Sequence, residues 1–426
     1  MQSLIVEGGA PIKGEVTVSG NKNAVLPMMA AALLSDEKVI LHNVPAIVDV
    51  LVTLEIFDHT GVDYEFSNNT LVIDARKIKN SIIPREICSR IRTSIMFAGP
   101  LTLRCGKCEI FPPGGDIIGR RRLDGHVYGL KSLGIDIELD HRFIFKVEKR
   151  LIGRELFLDE ASVTATEQLM TAAVTAEGIT TIRNAASEPH VNDLAKLLNK
   201  MGARISGLNS NTLIIEGVEK LHGAEHTVVS DHTEAGSFIA LGAACGGELT
   251  IKNTVPRHYW MTRRVFERLG VKLELHQNEI FLPGNQEMKI QKDFGGHCPV
   301  IADGPWPQFP SDLMSVSIVA ATQAEGTILF FEKMFESRLY FVDRLISMGA
   351  GAIVCDPHRV VINGRSQLRG VEMSSPDIRA GMALLIAALC ADGQSRINSA
   401  NIIYRGYENI VNKLLGINAK VQAVES

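Results

Sequence analysis

Apolar and polar positions along the chain fall into one phrase that recurs six times. It runs as an apolar β-run, a loop, a helix ending in glycine plus Ala, Val or Ile, and then an alternating stretch. The helix-ending glycines are Gly61, Gly134, Gly202, Gly270, Gly349 and Gly416, at intervals of about 70 residues. Runs 38–43, 107–111, 179–184, 248–253, 327–331 and 395–398 open the phrases. Each glycine suits a left-handed C-cap, where a Cβ would clash. Stretches such as 272–275 and 279–282, split by a polar turn, predict a hairpin after each helix.

Between phrases sits a second helix, typified by 28–34, 235–244 and 383–390. It is apolar on nearly every face and so must be enclosed on nearly every side. The glycine-ended helix, typified by 191–199, is amphipathic and should lie half in water. An open solenoid would need polar end caps, and the terminal phrases lack them. The expected fold is α/β, with the six repeated units closed into two domains of three.

With 426 residues, two or three domains are expected. A net charge of −4 shows no basic excess, so nucleic acid is a poor partner. The apolar run 382–391 falls short of the roughly 20 residues of a membrane span. The start of the chain lacks the pattern of a signal peptide. Seven scattered cysteines fit a reducing cytoplasm. Cys105 and Cys108 form a lone CxxC with no second pair, which suggests two unrelated strand thiols rather than zinc ligands. His222 and His226 flank a glycine turn and look like surface residues. No metal-ligand cluster and no cofactor fingerprint is visible: GxGxxG, P-loop lysine, HExxH and GxSxG are all missing.

Three clusters break the repeat with charge. In Ser19-Gly-Asn-Lys-Asn23, Lys22 stands just before an apolar helix, either as an anion site or as a solvated lysine beside an Asn cap. Pro112-Pro-Gly-Gly-Asp116 runs through Gly119 into Arg120, Arg121 and Arg122, as a mobile lid with an acid and an anion clamp or as a plain surface loop. In the later units, Asp312 opens a helix, in a position that suits an N-cap. Arg338, Arg379 and Arg405 recur in loops or helix starts there, which suits a substrate carrying phosphate and carboxylate.

Taken with Arg92-Thr-Ser94, Ser162-Val163, Phe309-Pro-Ser-Asp312, Phe335-Glu-Ser-Arg338, Asp377-Ile-Arg379 and Arg405-Gly-Tyr-Glu408, these clusters resemble the enolpyruvyl transferase family from end to end. The resemblance implies two inside-out α/β barrels. One domain would be 20–229, carrying a lid at 111–122, and the other 1–19 plus 230–426, with the active site in the cleft between them. It implies transfer of the enolpyruvyl group of phosphoenolpyruvate to the 3-hydroxyl of UDP-N-acetylglucosamine, through a tetrahedral ketal phosphate, as an early step of peptidoglycan precursor synthesis in the cytoplasm. It implies no cofactor and no metal. Asp116, Asp312 and Lys22 would be catalytic. Lys22, Arg121 and Arg405 would hold phosphoenolpyruvate by its phosphate, Arg338 and Arg379 by its carboxylate side, and Asn23 would also bind it. The sugar nucleotide would meet Asn23, Arg92, Arg121, Arg122, Leu123, Asp124, Gly125, Ser162, Val163, Asp312 and Met334.

The chain departs from the family pattern in places. Asp116 replaces the usual lid cysteine, so insensitivity to alkylation by fosfomycin is expected, because a carboxylic acid is a poorer nucleophile than a thiolate. Glu160 and His232 stand where lysine and arginine are common, and Arg122 replaces a proline. Those changes leave open another nucleotide or nucleotide-sugar acceptor, or a non-catalytic UDP-sugar-binding relative. An RNA-end cyclase would need a catalytic histidine and a basic surface, and neither is evident.

Overall fold

The structure is a computed structural model and describes residues 2–116 and 118–425; position 117 of the expected lid lies outside them. The chain divides into two units. The first comprises 20–116 and 121–229, and the second 2–19, 118–120 and 230–425.

Helices of the first unit are α1 (Lys22–Ala31), α2 (Val48–Thr60), α3 (Arg85–Cys88), α4 (Ala98–Cys105), α5 (Asp124–Leu133), α6 (Val163–Ala173) and α7 (Pro189–Lys200). Those of the second are α8 (His232–Ala244), α9 (Trp260–Arg268), α10 (Ser311–Thr322), α11 (Val342–Ser347), α12 (Ile378–Cys390) and α13 (Ile410–Leu415).

Each unit holds three four-stranded sheets around its own apolar core. Their plan repeats: a parallel pair of strands, extended on one side by an antiparallel hairpin. Glu155–Phe157 runs parallel to Ile179–Arg183, which pairs antiparallel with Thr212–Glu216 and through it with Arg204–Ser206. The sixth sheet departs from this plan. Only one strand, Lys420–Glu425, follows Gly416, and the place of the missing hairpin strand is taken by Gln2–Glu7, between it and Gln394–Asn398.

In the second unit α8, α10 and α12 pack against one another. Every residue of α10 except Asp312 is buried, and α12 is buried from Ile378 to Leu389. In α1 the residues left unburied are Lys22 and Asn23, and in α6 they are Val163 and Thr164. The apolar helices are therefore enclosed along their length, with unburied residues at the N-terminal ends of α1, α6 and α10 and at the C-terminal ends of α8 and α12.

The remaining differences from expectation have local causes. Gly61, Gly134, Gly202, Gly270 and Gly349 have positive φ, but Gly416 is right-handed at φ −63° and Asn418 takes the left-handed turn at φ 66°. The amphipathic helix α7 is not half in water. Its polar residues Asn192 and Asp193 are buried because each has a partner inside: the Asn192 amide donates to Ser187 O and Glu188 O, and Asp193 accepts from Val229 N. His226, expected at the surface, is 5% exposed and lies 3.2 Å from Asp193. Cys105 ends a helix rather than sitting in a strand. Among the described residues, no helix is long and apolar enough to cross a membrane, and no group of three or more His, Cys, Asp or Glu is placed to share a metal ion.

The Asn that closes three of the opening runs has one recurring job. Asn43, Asn184 and Asn253 all sit at φ between 55° and 60°. Their side-chain amides donate to Val228 O, Leu158 O and Val18 O at 2.9, 2.8 and 2.7 Å, tying each strand end to the chain that leaves its parallel neighbour. Asparagine suits both demands, since it tolerates the left-handed region and carries a donor. Asn184→Gly should therefore cost about 1 kcal/mol for the lost hydrogen bond, and Asn184→Ala about 1 kcal/mol more for backbone strain. Equilibrium urea unfolding that ranks the alanine variant at or above the glycine variant would contradict this account.

Candidate active site

Several residues singled out by the sequence lie at the N-termini of enclosed helices, Lys22 and Asn23 at α1, Ser162 and Val163 at α6, Asp312 at α10 and Arg379 at α12, while Asp116, Met334, Arg338 and Arg405 lie in loops or turns. A helix start leaves backbone N–H groups without intrahelical partners, which favours anions there. In the first unit Asn21, not Lys22, precedes α1: its side chain accepts from Ala24 N at 3.0 Å, and Lys22 is the first helical residue. The Lys22 ammonium lies 2.8 Å from Asp49, the side chains being 11% and 5% exposed. Asn23 follows it, half-buried.

Arg92 opens a 3-10 turn, Arg92–Phe97, that leads directly into α4. Its guanidinium donates to the carbonyls of Arg121 and Arg122 at 2.9 and 3.1 Å. Burial, and then the charge of Arg121, push its pKa down to about 10. No carboxylate of the described residues pairs with it. A half-buried cation held by carbonyls suits an arriving anion.

Leu123 caps α5, and Asp124 and Gly125 begin it. Ser162 caps α6, accepting from Ala165 N, and Val163 is the first residue of that helix. Glu160 is exposed, so water hydrates its charge. Asp116 is half-buried in an extended segment without regular structure. The glycines before it serve close approach: a Cβ on Gly114 would lie 1.8 Å from Ser89 O.

In the second unit Asp312 is the second residue of α10, so it is not the cap. Its carboxylate accepts from Arg338 Nη2 at 2.9 Å on one oxygen, and from Arg379 Nε and Nη2 at 3.1 and 2.9 Å on the other. Both arginines are nearly buried, at 3% and 5% exposure. Arg338 lies over the Phe335 ring, and Arg379 over the Tyr407 ring, whose hydroxyl meets Ser237. Asp377 caps α12 and accepts from the backbone N of Arg379. Arg405 ends a 3-10 turn, Ala400–Arg405, half-buried. Met334 is 41% exposed, and its N–H donates to Glu332.

His232 opens α8, where its buried ring stands edge-on to His258 and Trp306 at 6.3 and 5.8 Å. Burial lowers its pKa, against the pull of Asp231 and Asp312. Residues 118–120 pack on the turn at Glu336: Ser337 N donates to Ile118 O at 3.1 Å, and Arg120 N to Glu336 Oε2 at 3.2 Å.

Sequence reasoning missed Asp49, Tyr407 as the support of Arg379, and Glu332. A signal existed for two of them. Asp49 interrupts the apolar run 47–52, and Glu332 follows the apolar strand Gly326–Phe331 directly. A carboxylate embedded in apolar sequence implies a buried partner.

Comparison with known proteins adds the lineage. The family described as EPSP synthase (3-phosphoshikimate 1-carboxyvinyltransferase) matches residues 6–414. Proteins named UDP-N-acetylglucosamine 1-carboxyvinyltransferase from Borreliella burgdorferi and Bradyrhizobium diazoefficiens are 53% and 51% identical to the chain. The matches cover 100% and 99% of it, and 100% and 97% of those proteins. Among solved structures, the enolpyruvyl transferase NikO from Streptomyces tendae aligns at TM-score 0.88 and 22% identity, over 100% of this chain and 99% of that one. An EPSP synthase from Acinetobacter baumannii aligns at TM-score 0.77 and 17% identity, over 100% of both. Those two likenesses carry the fold, and the near-complete match at about half identity carries the lineage: the chain belongs to the EPSP synthase family of enolpyruvyl transferases.

Proposed function

We propose that the chain transfers the enolpyruvyl group of phosphoenolpyruvate to the 3-hydroxyl of UDP-N-acetylglucosamine and releases phosphate. The observation that carries this is the Asp312 carboxylate clamped by two nearly buried arginines at the start of α10. The names of the 53% and 51% identical relatives support the acceptor.

The chemistry assigns each group a task. Asp116, as the acid, gives a proton to the methylene carbon of phosphoenolpyruvate, and positive charge develops on the carbon bearing the phosphate. The sugar hydroxyl adds to that carbon while Asp312 takes the hydroxyl proton. The resulting ketal phosphate then loses a methyl proton and phosphate, which regenerates the double bond. Two carboxyls in opposite protonation states divide acid and base work. Arg338 and Arg379 hold the substrate carboxylate, and their partial transfer to it loosens their hold on Asp312. Lys22, Arg121 and Arg405 hold the phosphate for departure. Asn23 supports both substrates. Arg92 receives the diphosphate, supported by Arg121, Arg122, Leu123, Asp124 and Gly125 and by the N-terminus of α6 at Ser162 and Val163, while the Met334 backbone meets the sugar. Residues 111–122 act as the lid.

Phosphate release should require both substrates, with the enolpyruvyl ether confirmed by mass. Asp116→Asn and Asp312→Asn should each lower kcat by about 10²–10⁴-fold. Release with phosphoenolpyruvate and another nucleotide sugar, but none with UDP-N-acetylglucosamine, would move the acceptor. Binding without release would favour a sugar-nucleotide sensor.

The lid acid predicts a second outcome. Fosfomycin should leave the wild-type protein without an adduct and fully active, because a carboxylic acid is a weak nucleophile toward an epoxide. Asp116→Cys should gain a time-dependent adduct of one inhibitor mass. A stable adduct on the wild type would refute the assignment.

A further inference from the structure

Behind Asp312 lies a second carboxyl pair. Glu332 follows the strand Gly326–Phe331, and Asp303 follows the strand Val300–Ala302. Both are 0% exposed. The Glu332 carboxyl meets Ser311 Oγ at 3.0 and 2.9 Å and accepts from Met334 N and Phe335 N at 3.2 and 3.1 Å. Ser311 in turn accepts from Arg338 Nε at 3.1 Å, and Arg338 donates to Asp312 at 2.9 Å. Glu332 thus holds both the 333–335 turn and, through Ser311, the arginine that clamps Asp312.

Asp303 accepts from Lys333 N with one oxygen, while its other oxygen is buried and no donor among the described groups reaches it. Ala302 and Phe331 are register partners in the parallel pair of strands, so Asp303 and Glu332 leave neighbouring strands side by side, and Lys333 N, next to Glu332, donates to Asp303. Two adjacent buried carboxyls repel each other when both are ionised, which favours one proton between them.

We propose that Asp303 and Glu332 share one proton and act together as positioning residues for the Asp312–Arg338 couple, so that losing this proton disorders the couple and slows turnover. The charged groups around the pair limit the alternatives. Arg338 faces Glu332 across Ser311. Asp312 lies beyond Arg338 and is engaged by two arginines. His358 meets only the Glu332 backbone carbonyl, and the Lys333 side chain is exposed. Burial first, and then Asp303, push the Glu332 carboxyl from its usual 4.5 up to about 8, against the pull of Arg338 and Ser311. A group raised in the folded state contributes stability that is complete below its unfolded value and is lost as pH rises through its folded value.

The inference rests on Asp312 as the base, so its test has one arm that needs turnover and one that does not. In phosphate-release assays from pH 6 to 9.5, wild-type kcat should fall with an alkaline limb near 8. In Asp303→Asn the amide donates to the Glu332 carboxylate whether or not a proton is present, so the alkaline limb near 8 should disappear. Glu332→Ala should lower kcat about tenfold or more, and Glu332→Gln should restore most of it. A purely structural role would leave the limb in place.

The second arm follows Tm against pH. The wild type should lose stability as pH rises from about 4.5 to about 8, and Asp303→Asn should lose less over that window. If wild-type protein releases no phosphate, the functional reading fails and the Tm arm still decides the shared proton. Coincident limbs, or coincident Tm slopes, in wild type and Asp303→Asn would overturn the inference.

Discussion

A helix that is apolar on every face has nothing polar to offer except its two ends. That constraint organises this chain. Five such helices, α1, α6, α8, α10 and α12, are enclosed along their length, and the N–H groups at their starts are polar groups that burial leaves without intrahelical partners. The unburied residues of α1, α6 and α10 lie at those starts, and they include Lys22, Asn23, Val163 and Asp312. Chemistry sits there because packing permits it nowhere else along these helices. The same ends favour anions, as a substrate set of phosphate, diphosphate and carboxylate groups requires.

Cations at such ends must be kept from drifting into solvent. The chain does this with short ties inside each unit. Lys22 is held by Asp49, Arg92 by two backbone carbonyls, and Arg338 and Arg379 by Asp312 together with aromatic rings. Orientation fixed before substrate arrives lowers the reorganisation needed during reaction.

The sequence displayed whatever depends on short-range pattern. The glycine period announced the six sheets, and the apolar runs 235–244 and 383–390 announced buried helices. Left-handed caps were legible at five glycines. Gly416 failed because Asn418, two residues on, performs the same turn. What stayed hidden depends on partners distant in sequence. Nothing in Val191–Asn199 reveals that Asp193 faces His226, and nothing after Gly416 reveals that its sheet is completed by Gln2–Glu7. Lys22 was legible as a charge at a helix start, but its tie to Asp49 was not, because Asp49 lies in another helix. The Glu332–Ser311–Arg338 chain was hidden for the same reason: it links a strand end, a helix start and a turn.

The strand Gln2–Glu7 has a consequence for how the molecule is made. Synthesis runs from the N-terminus, so this strand emerges early, while both its partners, Gln394–Asn398 and Lys420–Glu425, emerge at the far end of the chain. Its next neighbour in sequence, Lys13–Thr17, waits for Glu248–Lys252. The first unit meanwhile finds nearly all its strand partners within 39–227 and can condense on the ribosome. During that interval two strands stand unpaired, a condition under which nascent chains pair with one another. The pairing of Gln2–Glu7 with Gln394–Asn398 and Lys420–Glu425 therefore makes that sheet one that closes only after most of the intervening chain has been made.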